Sequence, residues 1–244
     1  EQVWVIADNK LSLANSNRFQ LIEIPNEWQS PIKAIACDAK GKLWFVNDKG
    51  FFSKENNNEP VIPEIALQRI DCKTVVSMYA DTYNDLWIGT YNQGLYKFST
   101  TDKQLHHFTR ENGLVDNNII SITARGNECW IGTLGGVTKM NIAAAVPQFV
   151  NYTEKEGLIN SFIYNISIDF KNNKWFASDG GGIFKLDSNG FHSYPPVKGM
   201  DKAIVYTITQ DIYGNTWFVG PNSGLIKFDG ENFKRFTVRQ GLHD

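Results

Sequence analysis

The chain has 244 residues, of which 42% are hydrophobic, 13% aromatic and 20% charged, with a formal net charge of −2 and a pI near 6.1. A chain of this size buries roughly three quarters of the surface that its unfolded state exposes, which is sufficient for one soluble globular domain. The near-neutral charge argues against a nucleic-acid partner, which needs a basic surface, and no run of 18 apolar residues is present that could insert directly into a membrane.

Tryptophan recurs along the whole chain at intervals of 40 to 45 residues. The six recurring positions are Trp4, Trp44, Trp87, Trp130, Trp175 and Trp217. A period near 40 residues that contains only short strands and turns is typical of β-propeller blades. We therefore expect an all-β fold in which residues 1–244 form a single β-propeller domain or propeller fragment, with about six blades of four antiparallel strands.

The two ends of the chain fall at different points of the repeat. The first copy enters at Trp4, in its second strand, whereas the last copy stops at Gly241 and Leu242, where another first strand is due. Either the ring closes with a three-stranded blade, or the chain is a section of a seven-bladed or longer array. The second alternative is favoured because the linker that introduces a first strand is present at the C-terminal end.

Each complete copy opens with an apolar run that is rich in β-branched residues. Five runs align without gaps, at 32–38, 75–81, 119–125, 163–169 and 205–211. Apolar or small residues occupy both alternating sets of positions, so we expect these strands to be covered on both faces. A short turn that contains Gly or Asn then leads into the tryptophan strand, as in a β-hairpin.

Two more strands complete each copy. The third follows a glycine and carries a lysine, and the fourth ends in an aromatic residue that is usually followed by threonine and then by Gly-Leu. The complete order closely resembles the two-component regulator propeller repeat, above all at 81–98 (DTYNDLWIGTYNQGLYKF) and 211–228 (DIYGNTWFVGPNSGLIKF). The resemblance covers essentially the whole chain, and the first two copies match least well.

This resemblance implies a periplasmic sensor region of a hybrid two-component system, of the class common in gut Bacteroidetes. In that family, paired seven-bladed propellers detect oligosaccharides, and a separate kinase and transcription-factor module lies inside the cell. The sequence contains no kinase box, transmembrane helix or helix-turn-helix. The leading hypothesis is therefore an extracytoplasmic ligand-sensing propeller. The alternatives are a protein-interaction propeller without a small ligand and, more remotely, a propeller lyase.

Residues that recur in every blade are expected to serve the blade. The tryptophans should be structural, because a large aromatic side chain placed once per blade holds neighbouring sheets together. The carboxylates at the end of the first strands should satisfy turn amides, and the third-strand lysines should lie on the sheet with solvated ammonium groups. These are Asp38, Asp81, Asp169 and Asp211, and Lys97, Lys139, Lys185 and Lys227.

The sequence offers little for catalysis. His106, His107 and His192 fall on predicted fourth strands, which leaves only His243 as a central base. Neither a nucleophile motif nor metal-ligand spacing is present, so we expect no enzyme activity, no metal and no cofactor. The three cysteines, Cys37, Cys72 and Cys129, should be unpaired, with Cys37 and Cys129 acting as small buried hydrophobic residues.

Function should lie where the copies differ. The loops between second and third strands, and the crossings that lead into the next first strand, should emerge on one face. Amide, carboxylate and aromatic side chains there suit an oligosaccharide or another small ligand. The candidate ligand-binding residues are Tyr91, Asn92, Asp116, Asn117, Asn160, Asp179 and Asn222. The pattern also allows a protein partner, through a propeller–propeller or homodimer contact.

Overall fold

The structure is a computed structural model that describes residues 3–7, 10–15, 18–56, 58–144, 146–194, 204–221 and 224–242. The chain divides into two compact units, Glu1–His107 and Phe108–Asp244. The expectation of one domain over residues 1–244 therefore stays a prediction.

The first unit contains three antiparallel sheets in chain order. The strands of the first sheet are β1 (Val3–Ala7), β2 (Lys10–Asn15) and β3 (Arg18–Leu21). Those of the second are β4 (Ile32–Cys37), β5 (Leu43–Asn47), β6 (Gly50–Lys54) and β7 (Ile62–Pro63). Those of the third are β8 (Val75–Ala80), β9 (Leu86–Thr90), β10 (Leu95–Phe98) and β11 (Leu105–Phe108), whose last residue is the first of the second unit.

The second unit contains three further sheets of four strands each. The fourth sheet holds β12 (Ile119–Arg125), β13 (Glu128–Thr133), β14 (Val137–Asn141) and β15 (Phe149–Tyr152). The fifth holds β16 (Ile163–Ile168), β17 (Lys174–Ser178), β18 (Ile183–Asp187) and β19 (Gly190–Tyr194). The sixth holds β20 (Thr207–Gln210), β21 (Thr216–Gly220), β22 (Gly224–Phe228) and β23 (Phe233–Phe236).

Every sheet is an antiparallel meander of sequential strands, which is the blade of a β-propeller. The predicted all-β propeller fold class is therefore confirmed. The first sheet has three strands, as expected for a copy that enters at its second strand. The only helical elements in the described residues are three-residue 3-10 turns, at Asn26–Trp28, Ile65–Leu67, Cys72–Thr74, Arg110–Asn112, Glu154–Glu156 and Val238–Gln240.

The recurring tryptophans lie in the core. Four of them are at most 5% exposed, namely Trp44, Trp87, Trp130 and Trp175. Trp4 and Trp217 are half-buried. The strands that carry the tryptophans are the most buried, and every residue of β5, β9 and β17 is buried. The expectation that the first strands are covered on both faces is wrong, because β8 and β16 keep several half-buried positions.

The aspartates that end the first strands organise the following turn, as predicted. Oδ1 of Asp169 accepts hydrogen bonds from the backbone N–H groups of Lys171 (2.9 Å) and Asn173 (2.8 Å). Its Oδ2 accepts from Nε1 of Trp175 at 2.9 Å. Asp81 and Asp211 make the same set of bonds. The carboxylate therefore ties the hairpin turn to the tryptophan that follows it by six residues.

Glycine or asparagine recurs in this turn because the backbone there is left-handed. Asn172 has a φ of 65° and Gly214 a φ of 85°. Glycine adopts this region without a steric penalty, and asparagine tolerates it better than most residues. The Gly and Asn residues that predicted hairpins therefore occupy the positions that require them.

The third-strand lysines depart from the prediction. Each pairs in register with the tryptophan of its own sheet, as Lys97 does with Trp87, and its ammonium group lies over the indole ring, here at 5.3 Å from the centroid. The ammonium group is not simply solvated, since Nζ of Lys97 lies 2.8 Å from a carboxylate oxygen of Asp85. Lys139 and Lys185 are paired in the same way, with Glu128 and Asp187. An indole face beneath the stem and an acidic neighbour fix the position of the charge.

The threonine after the fourth strand caps a 3-10 turn, a function that the sequence pattern alone did not reveal. After β15, at the end of the fourth copy, Thr153 and Glu156 form a capping box, and Gly157 ends the turn with a φ of 106°. Leu158 is then buried at 4% exposure. The recurring Thr-x-x-x-Gly-Leu pattern is therefore a capped turn with a hydrophobic anchor that leads into the next blade.

Cys37, Cys72 and Cys129 form no disulfide, as predicted. Cys129 is buried, as predicted, but Cys37 is exposed, so its assignment as a buried hydrophobic residue is wrong. Cys37 is the last residue of β4, where the strand leaves the sheet for the turn at Asp38.

Candidate functional site

In both units, the loop between second and third strands contacts the crossing that precedes the same sheet. In the second unit the backbone N–H of Asp179 donates to the carbonyl of Phe162 at 3.0 Å, and that of Leu134 donates to Asn118 at 3.3 Å. In the first unit the N–H of Tyr91 donates to Thr74 at 2.8 Å. The expectation that loops and crossings emerge together is thus confirmed within each unit. We call this surface of the second unit the loop face, comprising residues 115–118, 134–136, 159–164, 179–182 and 204–206.

Three of the predicted binding residues hold the crossings of the loop face. Oδ1 of Asp116 accepts from the backbone N–H of Asn118 at 2.7 Å, and Oδ1 of Asn160 accepts from Phe162 at 2.7 Å. Oδ1 of Asn117 accepts from the N–H of Arg110 at 2.9 Å. These residues differ between copies, yet their side chains serve turns of the fold itself. Crossings need side-chain acceptors for their own amides, which Asp and Asn supply.

Asp179 is half-buried at the start of the loop between β17 and β18. Its carboxylate interacts with the hydroxyl of Tyr164. Burial, followed by the negative charge of Asp179 and the neighbouring Tyr206, raises the pKa of the Tyr164 hydroxyl. The hydroxyl therefore stays protonated at neutral pH beside a carboxylate acceptor.

Tyr164 occupies a β-bulge at the beginning of β16. Ile163 pairs with Ser178 and Asn165 pairs with Ala177, so Tyr164 is the extra residue between them. The register shifts at the same place in three other sheets, at Lys33, Val76 and Ile120. A bulge turns one side chain out of the regular alternation, and bulges are frequent beside functional sites.

Tyr206 stands at the equivalent position of the sixth sheet. Its backbone N–H donates to the carbonyl of Val219 at 2.9 Å, and Val219 also pairs with Thr207. The rings of Tyr164 and Tyr206 meet edge to face, with centroids 5.3 Å apart and an interplanar angle of 74°. Tyr206 is 50% exposed, and Phe162, two residues before Tyr164, is 45% exposed. We call Phe162, Tyr164 and Tyr206 the aromatic cluster.

Tyr164 and Tyr206 were missed at the level of sequence. The signal was present in the five aligned first strands, where the second position varies although the position before it is always Ile or Val. That column reads Lys33, Val76, Ile120, Tyr164 and Tyr206. The regular alternation of a strand hid it, because a bulge is not visible in the spacing of apolar residues.

Two predicted residues belong to the first unit and one lies outside the described residues. Tyr91 is 56% exposed. Asn92 is exposed and has a φ of 64°, so the turn itself favours asparagine there. Asn222 lies outside the described residues. The structure thus brings Asn160 and Asp179 together with the aromatic cluster, and it places Tyr91 and Asn92 in a loop of the first unit.

The described histidines lie on fourth strands, as predicted. His106 and His107 are in β11, and His192 is in β19. Nε2 of His107 is 2.6 Å from the carbonyl of Gln93, and Nε2 of His192 is 2.9 Å from Oδ1 of Asp187. His243 lies outside the described residues. Among the residues that the structure describes, no group of three or more His, Cys, Asp or Glu side chains could hold a metal ion.

The segment 70–92 matches the family model of the two component regulator propeller. Residues 70–92 are therefore similar to the propeller repeat of two-component regulators. The matched segment includes Trp87 and ends at the predicted binding residues Tyr91 and Asn92. The family resemblance is therefore confirmed. Curated proteins include no match to this sequence.

The fold of the chain is similar to those of several solved proteins. The extracellular domain of the hybrid two component system BT3049 from B. thetaiotaomicron has a TM-score of 0.77 at 23% identity over 94% of this chain and 32% of that one. PorZ, a surface component of the type-IX secretion system of Porphyromonas gingivalis, has a TM-score of 0.72 at 16% identity over 95% and 38%. Virginiamycin B lyase from Staphylococcus aureus has a TM-score of 0.68 at 14% identity over 84% and 69%.

At these identities the similarity concerns the fold alone. The chain spans only about a third of the first two solved chains, with 32% and 38% of their lengths covered. Within the described part of the chain, none of the helices has the length and apolar character that crossing a membrane requires.

Proposed function

We propose that the chain is an extracytoplasmic ligand-sensing propeller of a hybrid two-component signalling receptor, and that it binds an oligosaccharide on the loop face of the second unit. The observation that supports this most strongly is the aromatic cluster. Two of its rings, Phe162 and Tyr206, are about half exposed, and Tyr206 is braced by an edge-to-face contact with Tyr164.

The chemistry of this surface suits a sugar. A pyranose presents an apolar C–H face that packs on an exposed aromatic ring, and its edge carries hydroxyl groups that need acceptors. The carboxylate of Asp179 lies next to Tyr164 and can accept such hydrogen bonds. Ring contact and carboxylate together would select both the face of the sugar and its hydroxyl pattern.

Location and lack of catalysis are part of the same proposal. The solved hybrid two component system propeller is an extracellular domain, which supports a periplasmic location for this chain. Virginiamycin B lyase shares the fold, so the fold does not decide between sensor and enzyme. The described histidines all lie on fourth strands, and this position favours a binding protein over a lyase.

A thermal-shift screen with a glycan library tests the proposal. A ligand that binds only the folded state raises the melting temperature, and the positive glycan is then titrated against variants. Tyr206→Ala and Asp179→Ala should abolish the shift. Tyr213→Ala is the matched control, because Tyr213 is 84% exposed in the turn at the other end of β20. A glycan shift that survives in Tyr206→Ala and Asp179→Ala would contradict the proposed site.

A second candidate is a protein-interaction propeller without a small ligand. The turns between first and second strands of the fifth and sixth sheets expose Phe170 (62%), Ile212 (80%) and Tyr213 (84%). Exposed apolar residues on neighbouring turns suit a protein contact, including a second propeller or a homodimer. Sedimentation of wild type and Ile212→Ser tests the homodimer: a dimer that the substitution dissociates supports this candidate, and a wild-type monomer contradicts self-association.

A further inference from the structure

The first unit contains a crevice of about 1240 Å³ between the first and second sheets. Its inner wall includes Leu11, Ile22 and Val61, which are at most 6% exposed. Its rim carries polar groups, among them Lys10 and Asn26. The crevice therefore has an apolar interior and a polar mouth, which is the usual character of a small-molecule site.

A buried lysine lines this crevice. Lys54 is the last residue of β6 and is 6% exposed. Its ammonium group donates a hydrogen bond to the backbone carbonyl of Glu59. Among the described residues, no carboxylate oxygen lies within 4.0 Å of Nζ of Lys54, so its ammonium group forms no ion pair with them.

The neighbouring Lys42 of the same sheet, by contrast, has acidic partners for its ammonium group. Its Nζ lies 2.8 Å from an oxygen of Glu55 and 3.3 Å from one of Glu64, and it also lies over the ring of Trp44. Lys54 is more buried than Lys42, yet it has a single carbonyl as its partner. Burial of an ammonium group is costly unless a negative charge and further acceptors accompany it.

We propose that the crevice binds a small molecule through a carboxylate or phosphate group, whose oxygens pair with the ammonium group of Lys54. The apolar wall formed by Leu11, Ile22 and Val61 would contact the body of that molecule. Glu23 and Glu59 on the rim oppose the entry of a polyanion, so the ligand class is a compact molecule with one anionic group. The site lies wholly in the first unit and is independent of the aromatic cluster of the second.

Two-dimensional NMR titration of the full chain tests the proposal. The probes are D-glucuronate and inorganic phosphate, with D-glucose as the uncharged match to glucuronate. Saturable shifts of the Ile22, Lys54 and Val61 amides with at least one of the anions, but not with glucose, are expected. The two anions distinguish a carboxylate site from a phosphate site.

Lys54→Met keeps the stem and removes the charge, so affinity for the bound anion should fall roughly tenfold or more. Lys40→Met, at an exposed lysine of the same sheet, is the control and should bind as wild type does. Absence of anion-dependent shifts at these amides in wild type would overturn the proposal, whether or not the variant folds. Undiminished anion binding by a folded Lys54→Met would overturn it as well.

Discussion

Nε1 of Trp175 donates a hydrogen bond of 2.9 Å to Oδ2 of Asp169, six residues earlier in the chain. The other carboxylate oxygen accepts from two backbone amides of the intervening turn. One side chain therefore joins the end of a first strand, its hairpin turn and the tryptophan of the second strand. The same relation holds between Asp81 and Trp87 and between Asp211 and Trp217.

Asp169→Ala should lower the free energy of unfolding by about 2 to 4 kcal/mol, because two turn amides and a buried indole lose a charged acceptor. Asp169 is 4% exposed, so water does not replace these bonds fully. Urea unfolding followed by tryptophan fluorescence measures the loss. Asp179→Ala is the control and should cost less than about 1 kcal/mol, since Asp179 is half-buried in a loop. Equal losses in the two variants would show that the recurring aspartate has no special function in the blade.

The Asp–Trp bond is missing from the second sheet, where Nε1 of Trp44 has no hydrogen-bond partner among the described residues, and from the fourth. Arg125 stands where the other first strands end in Asp, and Nε1 of Trp130 has no hydrogen-bond partner among the described residues. Trp130→Phe should therefore cost less than Trp175→Phe, although both rings are buried. We expect a difference of about 1 to 3 kcal/mol, the contribution of a hydrogen bond to a charged group. Chemical denaturation of the two variants checks this, and a larger loss in Trp130→Phe would contradict it.

Complete removal of the Trp130 ring tests its packing in the core and not its hydrogen bonding. The side chain is 1% exposed and packs against Tyr152 and Phe176, with ring centroids 5.6 Å and 6.1 Å away. Trp130→Ala should destabilise the protein by about 3 to 5 kcal/mol, the range for truncating a large buried aromatic side chain. Equilibrium unfolding in urea measures it, and a loss below about 1 kcal/mol would mean that this tryptophan does not hold the blade.

Acid should weaken the turn at Asp211. Burial alone would raise the pKa of its carboxyl group, but hydrogen bonds donated by Trp217 and Asn215 outweigh this and lower the pKa to about 2. The folded pKa is thus below the value of about 3.9 in an unfolded chain. The stabilisation is complete above the unfolded pKa and disappears as the pH falls towards the folded one.

Asp211→Asn removes this titration. Urea unfolding at a series of pH values should show a shallower loss of stability between about pH 4 and about pH 2 in the variant than in wild type. Identical pH dependence in wild type and Asp211→Asn would contradict the assignment.

Much of the blade could be predicted from the sequence because it repeats. The spacing of Trp44, Trp87 and Trp130 identified the second strands, and the Gly and Asn positions identified turns whose backbone is left-handed. Such features depend on local sequence, so they recur from copy to copy and support the same assignment each time. The sequence also contains the motif of the capped turn at Thr153, a threonine three residues before a glutamate. Its reciprocal hydrogen bonds became evident only in the three-dimensional structure.

The candidate site was less predictable because it depends on contacts between copies. Asn117 varies between copies, yet its side chain is engaged with the amide of Arg110. Conversely, Tyr164 sits inside a repeating strand, and only the bulge at the start of β16 turns it away from the regular pattern. Variation between copies therefore indicates a functional residue only where the side chain is not already hydrogen-bonded within a turn.

The most direct test of the central claim is the position of a bound glycan. The glycan with the largest thermal shift should be titrated into isotope-labelled wild type, Tyr206→Ala and the control Tyr213→Ala, and the amide shifts should be mapped. We expect saturable shifts at Phe162, Tyr164 and Asp179 in wild type and in the control, and their loss in Tyr206→Ala. Shifts confined to the fourth strands, around His106 and His192, would contradict the account.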